Sequence, residues 1–462
     1  MDVIKYALLC AALLCTGALQ AQLTASTQDS IVIRSIYDEA LGKGEGHENL
    51  HYLCKEIGAR LSGSDELGEA IVWGESLLKT LNPDTVFKQP VMVPKWTRGD
   101  HESASFTSKG VTNRARITAL GGSVGTNGTI QAKVIEVKQF EELEALGRAK
   151  IEGKIIFYNR PMDPLMINTG AAYGGAYDQR SKGATEAARY GAVGTLVRSL
   201  THAQDTFPHT GAMNYLDDVI RIPAAAISTV DASALHNGLK NDPDLLFSMQ
   251  LTCEAFEDVE QANVIAEIIG SEFPDEYILV GGHLDSWDIG EGAHDDGAGI
   301  VQSIEVLRIL RALDYAPRHT IRVVLFVNEE NGNNGGETYA KVAKENGQVH
   351  FAAIESDAGG FSPRGFNFEA TDSAYAHYLT LAPVLEEYGV HMSRRGWSGV
   401  DIRPLKNDYV TLIGLIPDTQ RYFDYHHSKR DVWENVNKRE LELGAGAMTS
   451  LVYLLDQYRL GK

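Results

Sequence analysis

The stretch GGHLDSWDIGEGAHDDGAG, residues 281–299, sets a His-x-Asp and an Asp-Asp pair among six glycines. Three later segments carry the same residue types: NEEN with Glu329 and Glu330, ESDAGG with Asp357, and DYHHS with His426 and His427. Carboxylates gathered this densely repel one another, and at least one is forced toward its protonated form unless cations neutralise the group. Two imidazoles and three carboxylates form a nitrogen and oxygen donor set that suits zinc, with cobalt or manganese as other divalent candidates. If one carboxylate bridges two ions, each ion keeps three protein ligands and an open position. Such a pair acidifies a water and polarises a carbonyl, which is the equipment for hydrolysis. The glycines could also suggest a phosphate cradle, but no Lys follows and the GxGxxG order is missing. Turns and close backbone approach account for them better.

These four segments share one kind of position, because each follows a continuous apolar run of strand length. The runs are YILV (277–280), IRVVLFV (321–327), FAAI (351–354) and VTLIGLI (410–416). Runs of this kind belong to strands buried on both faces of a largely parallel sheet, here separated by helices such as 299–314. Ligands of open α/β sheets gather beyond the carboxyl ends of the strands, which is where these acids and imidazoles fall. Upstream, residues 30–81 are largely helical in period, broken by a loop at 59–64; residues 86–94 and 103–106 read as strands. Between 116 and 252 the texture changes to short Gly- and Ala-rich strands and loops with no clustered His, Cys and carboxylate set. At 462 residues the chain exceeds the roughly 250–300 at which a single core stops growing. The division expected is therefore 22–115 and 253–462 as two parts of a catalytic domain, with 116–252 inserted between them.

The motifs HLD, AHDDGAG, NEEN, ESDAG and HHSKRD, in this order, resemble those of the co-catalytic dizinc exopeptidases, a family that includes bacterial leucyl aminopeptidases and glutamate carboxypeptidase II. The likeness extends over nearly the whole chain after its leader, and the insert resembles a protease-associated domain. The resemblance implies an α/β fold, a mostly parallel mixed sheet flanked by helices with an inserted β-rich domain. It implies two zinc ions per chain: His283 and Asp357 on one, Glu330 and His427 on the other, and Asp295 bridging. Asp295 is preferred to Asp296 because the family's bridging Asp stands four residues before a Gly, here Gly299. His427 is preferred to His426 because the family's ligand His precedes Ser or Thr and, four places on, an acid; here these are Ser428 and Asp431. Asp285 is implied to accept a hydrogen bond from His283 and so fix its tautomer. Glu329 is implied to be the general base that takes a proton from water and passes it to the leaving amine. His426 stands where relatives often carry a Tyr that steadies an oxyanion, a task that an imidazole donor also performs.

The function expected is a secreted or periplasmic exopeptidase acting on dipeptides or short peptides, with carboxypeptidase or dipeptidase action ahead of aminopeptidase action, and with a homodimer implied by the resemblance. Two rivals are a glutaminyl cyclase-like enzyme with a single zinc and a non-catalytic binding relative. Arg394, Arg395 and Trp397 form either a wall that recognises a carboxylate or a solvated basic patch, while Trp287 and Asp288 read as loop packing or substrate contacts. With 42 basic against 62 acidic residues and a net charge of −20, the chain is poorly suited to DNA, RNA or anionic lipid. Lys5, the apolar run from Ala7 to Leu14 and the small residues after it form a signal-peptide layout spanning 1–21, too short for a bilayer. No later stretch is apolar enough to anchor the chain. Outside that leader only Cys54 and Cys253 remain, either bridged or buried separately.

Overall fold

The computed structural model describes residues 25–460, so the leader at 1–21 lies outside the described residues. Two eight-stranded mixed sheets dominate it, joined by a short ribbon of Trp96–Thr97 against Glu254–Ala255. In the first sheet the four apolar runs become adjacent parallel strands in the order His319–Phe326, Phe273–His283, Val349–Glu355 and Thr411–Pro417. Their ends are level: His283 pairs with Phe326, Gly281 with Glu355, and Glu355 with Gly414. Val259–Ile268, antiparallel to His319–Phe326, and then Thr85–Val93 extend the sheet on one side; Pro363–Glu369, antiparallel to Thr411–Pro417, and then Met392–Arg395 extend it on the other.

Helices Ala298–Ala312, Lys438–Tyr458 and Thr27–Lys43 pack together in the main core, where Ile300, Ile304 and Leu307 share a cluster with Leu451, Leu455, Ile33 and Tyr37. Each such Ile or Leu contributes about 1.5–3 kcal/mol on burial. Helix Thr27–Lys43 is started by a reciprocal cap between Ser26 and Asp29, which satisfies two otherwise orphaned backbone donors.

The second sheet centres on four parallel strands, Ile130–Val137, Ile155–Tyr158, Gly194–Arg198 and Ala224–Ile227. Helices Thr169–Ser181, Gly183–Arg189 and Thr229–Asn241 accompany it, so this part of the chain is itself α/β. It also recruits Glu102–Ser108 and Val111–Ala115, which lie ahead of the boundary at 116 read from composition. The tight turn at Lys109 and Gly110 folds these two strands into a hairpin, and Leu246–Leu251 pairs with the first of them from about 140 residues further on.

Cys54 and Cys253 are two separate buried thiols. Cys54 packs with Leu50, Ala293 and Val301, whereas Cys253 sits with Phe247 and Leu251 in the second core. Burial above all pushes the Cys253 thiol up to about 11. No helix among the described residues is long and apolar enough to cross a membrane.

One buried imidazole ties stability to pH. His350 stacks on Tyr277 with ring centroids 5.3 Å apart and accepts a 2.6 Å hydrogen bond at Nε2 from the Tyr339 hydroxyl. Burial first, and the nearby Arg322 guanidinium second, hold its pKa down to about 3. An unfolded His titrates near 6.5, so as pH falls below that value the unfolded chain gains a proton that the folded one refuses. Stability is therefore lost as pH drops from about 6.5 toward about 3. His350→Phe, which keeps the ring packing, is expected to lose on the order of 2 kcal/mol less than the parent between pH 6.5 and 4. Urea midpoints of parent and variant at both pH values measure this.

Candidate metal centre

His283 ends its strand with its ring wholly buried. Its Nδ1 donates to the Asp285 carbonyl at 2.9 Å, which turns Nε2 toward Asp295 Oδ1 at 3.3 Å and Asp357 Oδ1 at 3.6 Å. The following segment is folded back on itself by buried side chains. The Arg60 guanidinium, wholly buried, donates to the carbonyls of Gly58, Leu284, Glu291 and Gly292. The Asp431 carboxylate accepts from the backbone of His294 and Asp295, and Asp296 accepts from His283 and Gly299. Two glycines are required by this folding. A Cβ on Gly282 would stand 2.3 Å from Asp296 Oδ2, and one on Gly299 would stand 1.9 Å from the Ser356 carbonyl oxygen.

The fold therefore presents Asp295 between two imidazoles. Its Oδ2 lies 3.2 Å from His427 Nε2, which is itself 3.2 Å from Glu330 Oε2. Two ligands of one zinc, each at about 2.1 Å and set tetrahedrally, stand about 3.4 Å apart. The four separations of 3.2–3.6 Å match that spacing, whereas direct N–H···O bonds centre near 2.9–3.0 Å. His283 Nε2 and Asp295 Oδ2 are buried without a hydrogen-bond partner, as atoms that face a cation would be. The neighbouring Asp296 differs, since both of its oxygens accept backbone N–H groups. The residues thus fit the binding of divalent metal.

The electrostatics agree. Burial above all, reinforced by neighbouring carboxylates, raises Glu329, Glu330, Asp296 and Asp357 above the usual carboxylate range. Asp295 goes the other way: burial opposes its charge, but the close approach of the His283 and His427 rings outweighs that and holds it well below.

Asp285 does something other than expected. Its carboxylate stands 3.9 Å from His283 Nδ1, and the tautomer is fixed by its carbonyl instead. The carboxylate is engaged elsewhere, accepting from the Glu329 and Glu330 backbone N–H groups at 3.2 and 3.3 Å and from the Ser62 hydroxyl at 2.9 Å. It pins the turn that carries both glutamates. Glu329 Oε2 lies 4.0 Å from His283 Nε2, beside the cluster. His426 stacks face to face on His427, with centroids 3.5 Å apart, and its Nε2 is 3.7 Å from Asp295 Oδ2. Burial first, then His427, depress its pKa and keep the ring neutral.

Trp287 is buried, its backbone N–H donates to Glu330 Oε1, and its ring stands edge-on to His427. Asp288 forms a two-pronged pair with Arg98. Both therefore pack the loop. Arg395 pairs with Asp372 over Tyr375, and exposed Trp397 stacks under Arg403, so their contacts are made away from the cluster. A cavity of about 10 Å³, enough for roughly one water, lies among Trp287, Asp295, Glu330, His427 and Asp431. A larger groove of about 1130 Å³ runs along helix Asp65–Thr80 and strand Thr85–Val93 and includes none of the cluster.

Sequence reasoning overlooked Arg60, Ser62 and the groups that the second sheet brings in. Thr210 exchanges hydrogen bonds with His427, His209 Nδ1 donates to the His426 carbonyl, and Arg180 lies against His427. The buried charge of Arg60 in a Gly- and Ser-containing loop was the one available signal; nothing local marks the others.

The model of Peptidase family M28 matches residues 263–452. Carboxypeptidase Q of Bos taurus is 33% identical over 427 residues, 92% of this chain and 88% of that protein; the Homo sapiens protein is 32% identical over the same shares. The solved structure of a peptidase M28 precursor from Shewanella amazonensis superimposes with a TM-score of 0.88 at 34% identity, covering 93% of this chain and 96% of that one. A zinc aminopeptidase from Bacillus subtilis shares the fold at a TM-score of 0.63 and 19% identity, over 88% of this chain and 94% of its own.

Proposed function

Because the chain belongs to peptidase family M28, we propose that its metal centre hydrolyses the terminal peptide bond of dipeptides or short peptides. The observation that carries this reading is the set of four imidazole–carboxylate separations at ligand spacing, with Asp295 common to both imidazoles and Glu329 alongside. In the proposed assignment His283 and Asp357 would hold one zinc ion, Glu330 and His427 the other, and Asp295 would serve both. Such a pair, when bound, activates water and polarises the scissile carbonyl.

The remaining steps belong to the chain's own side chains. Glu329 takes a proton from the attacking water and returns it to the departing amine, a task suited to a carboxylate whose Oε2 stands 4.0 Å from His283 Nε2, beside the cluster. Asp285 holds Glu329 and Glu330 in place through their backbone N–H groups. His426, buried beside Asp295, would donate a hydrogen bond to the oxyanion of the tetrahedral intermediate. We assign residue 1–21 export and a homodimeric assembly to the same reading.

Carboxypeptidase or dipeptidase action is favoured over aminopeptidase action, because the relatives at 32–33% identity over most of the chain are carboxypeptidases, whereas the aminopeptidase likeness is one of fold. The test is product release from free, N-blocked and C-amidated dipeptides, with and without a chelator. Cleavage of free and N-blocked substrates, sparing of C-amidated ones and loss of all turnover with chelator are expected. Chelator-insensitive cleavage would sink the proposal, and the reverse pattern of blocking would turn it into an aminopeptidase. Metal analysis giving one ion per chain, with cyclisation of Gln peptides, would favour a cyclase.

A further inference from the structure

The outer nitrogens of His283 and His427, the two imidazoles assigned to the metal, have opposite surroundings. His283 Nδ1 donates to a carbonyl, with the Asp285 carboxylate 3.9 Å away. His427 Nδ1 also faces a carbonyl, that of Thr210 at 3.2 Å, but Arg180 Nη1 stands 3.2 Å from the same nitrogen and donates to that carbonyl at 3.3 Å. Arg180 comes from helix Thr169–Ser181 of the inserted part, is buried, and lies over Tyr173 and Tyr177. Room for it is made by Gly211, where a Cβ would meet the guanidinium at 2.3 Å and His427 Nδ1 at 2.6 Å. The same segment holds His427 in place, since the Thr210 N–H donates to the His427 carbonyl at 2.9 Å while His427 sits at φ 58°.

A hydrogen-bond acceptor behind a ligating imidazole raises its donor strength, and a cation there lowers it. A fixed positive charge in a buried site also repels an incoming metal ion, with little water to screen it. We infer that Arg180 makes the two metal positions unequal: the His427–Glu330 position binds its ion more weakly than the His283–Asp357 position, and the inserted part of the chain sets that difference. This inference rests on the two-ion reading above. Arg180 is a positioning residue in this scheme, acting on the metal only through His427. The Thr210 carbonyl, the stacked His426 ring and the Trp287 edge keep the ring oriented without the guanidinium, so its loss tightens binding there.

The full chain, stripped of metal, is titrated with Co²⁺ and followed by visible absorption, with Zn²⁺ competition for the dissociation constants. The parent is expected to take up two ions in two steps at least about tenfold apart. His427→Ala removes the weaker step and His283→Ala the tighter one. Arg180→Met, which keeps the packing between the tyrosines, tightens the weaker step about tenfold and leaves the other unchanged, while Arg180→Lys behaves like the parent. Equal steps in the parent, or loss of the weaker step with His283→Ala, overturn the inference even if Arg180→Met fails to fold. So does an Arg180→Met chain whose metal affinities are unchanged or weaker and whose KM rises only for peptides with a free C-terminal carboxylate, which would give Arg180 to the substrate. A parent that binds no Co²⁺ overturns the two-ion reading itself.

Discussion

Glu329→Gln is expected to lower kcat on the best dipeptide by about three to four orders of magnitude while metal content and melting temperature stay at parental values. The change keeps the side chain's size and leaves the backbone N–H that donates to Asp285, so the turn carrying Glu330 is retained. What disappears is the ability to accept a proton, and with it the route from attacking water to leaving amine. Because the substrate contacts are untouched, KM should move by less than kcat, as it does when an interaction is made chiefly in the transition state. Turnover by the Gln variant within tenfold of the parent would exclude Glu329 as the base. Loss of metal from it would instead place Glu329 among the groups that hold the ions.

Much of this site was legible because burial on both faces leaves a direct trace in sequence. Phe273–His283, His319–Phe326, Val349–Glu355 and Thr411–Pro417 arise from the apolar runs noted first; the first three deliver their polar residues within a few positions of their ends, and the fourth delivers His426 and His427 after the short helical turns Thr419–Arg421 and Tyr422–Tyr425. The antiparallel strand Val259–Ile268 was missed because its first half, VEQA, is polar and partly exposed. The start of the second sheet was placed too late for a different reason: composition shifts near 116, but what recruits Glu102–Ser108 is pairing with Leu246–Leu251, which no local window contains. Asp285 marks a finer limit. A His-x-Asp spacing places carbonyl and carboxylate near the same imidazole, and only the N–H groups of the Glu329–Glu330 turn decide that the carboxylate is diverted and the carbonyl serves. Arg180 was invisible because its nearness to His427 spans 247 residues.

The adjacent acids Asp295 and Asp296 should separate sharply when each is changed to Asn. Asp295 presents one oxygen toward each imidazole and has a buried Oδ2 with no hydrogen-bond donor. An amide there removes the shared negative charge, and on the proposed assignment it costs both ions a ligand. Asp295→Asn is therefore expected to weaken metal binding by about 10–100-fold or more and to abolish activity at micromolar zinc, with folding otherwise retained. Asp296 accepts N–H groups from His283 and Gly299, one on each oxygen, so an amide nitrogen must face one of those donors. That mismatch leaves a buried donor unsatisfied, at about 1–3 kcal/mol, and should lower the melting temperature by several degrees while two ions remain bound. Metal analysis after dialysis, together with thermal melts of both variants, distinguishes the two roles. Retention of metal by Asp295→Asn with loss from Asp296→Asn would exchange the assignments, and the bridge would then have to form at a carboxylate already held by two backbone donors.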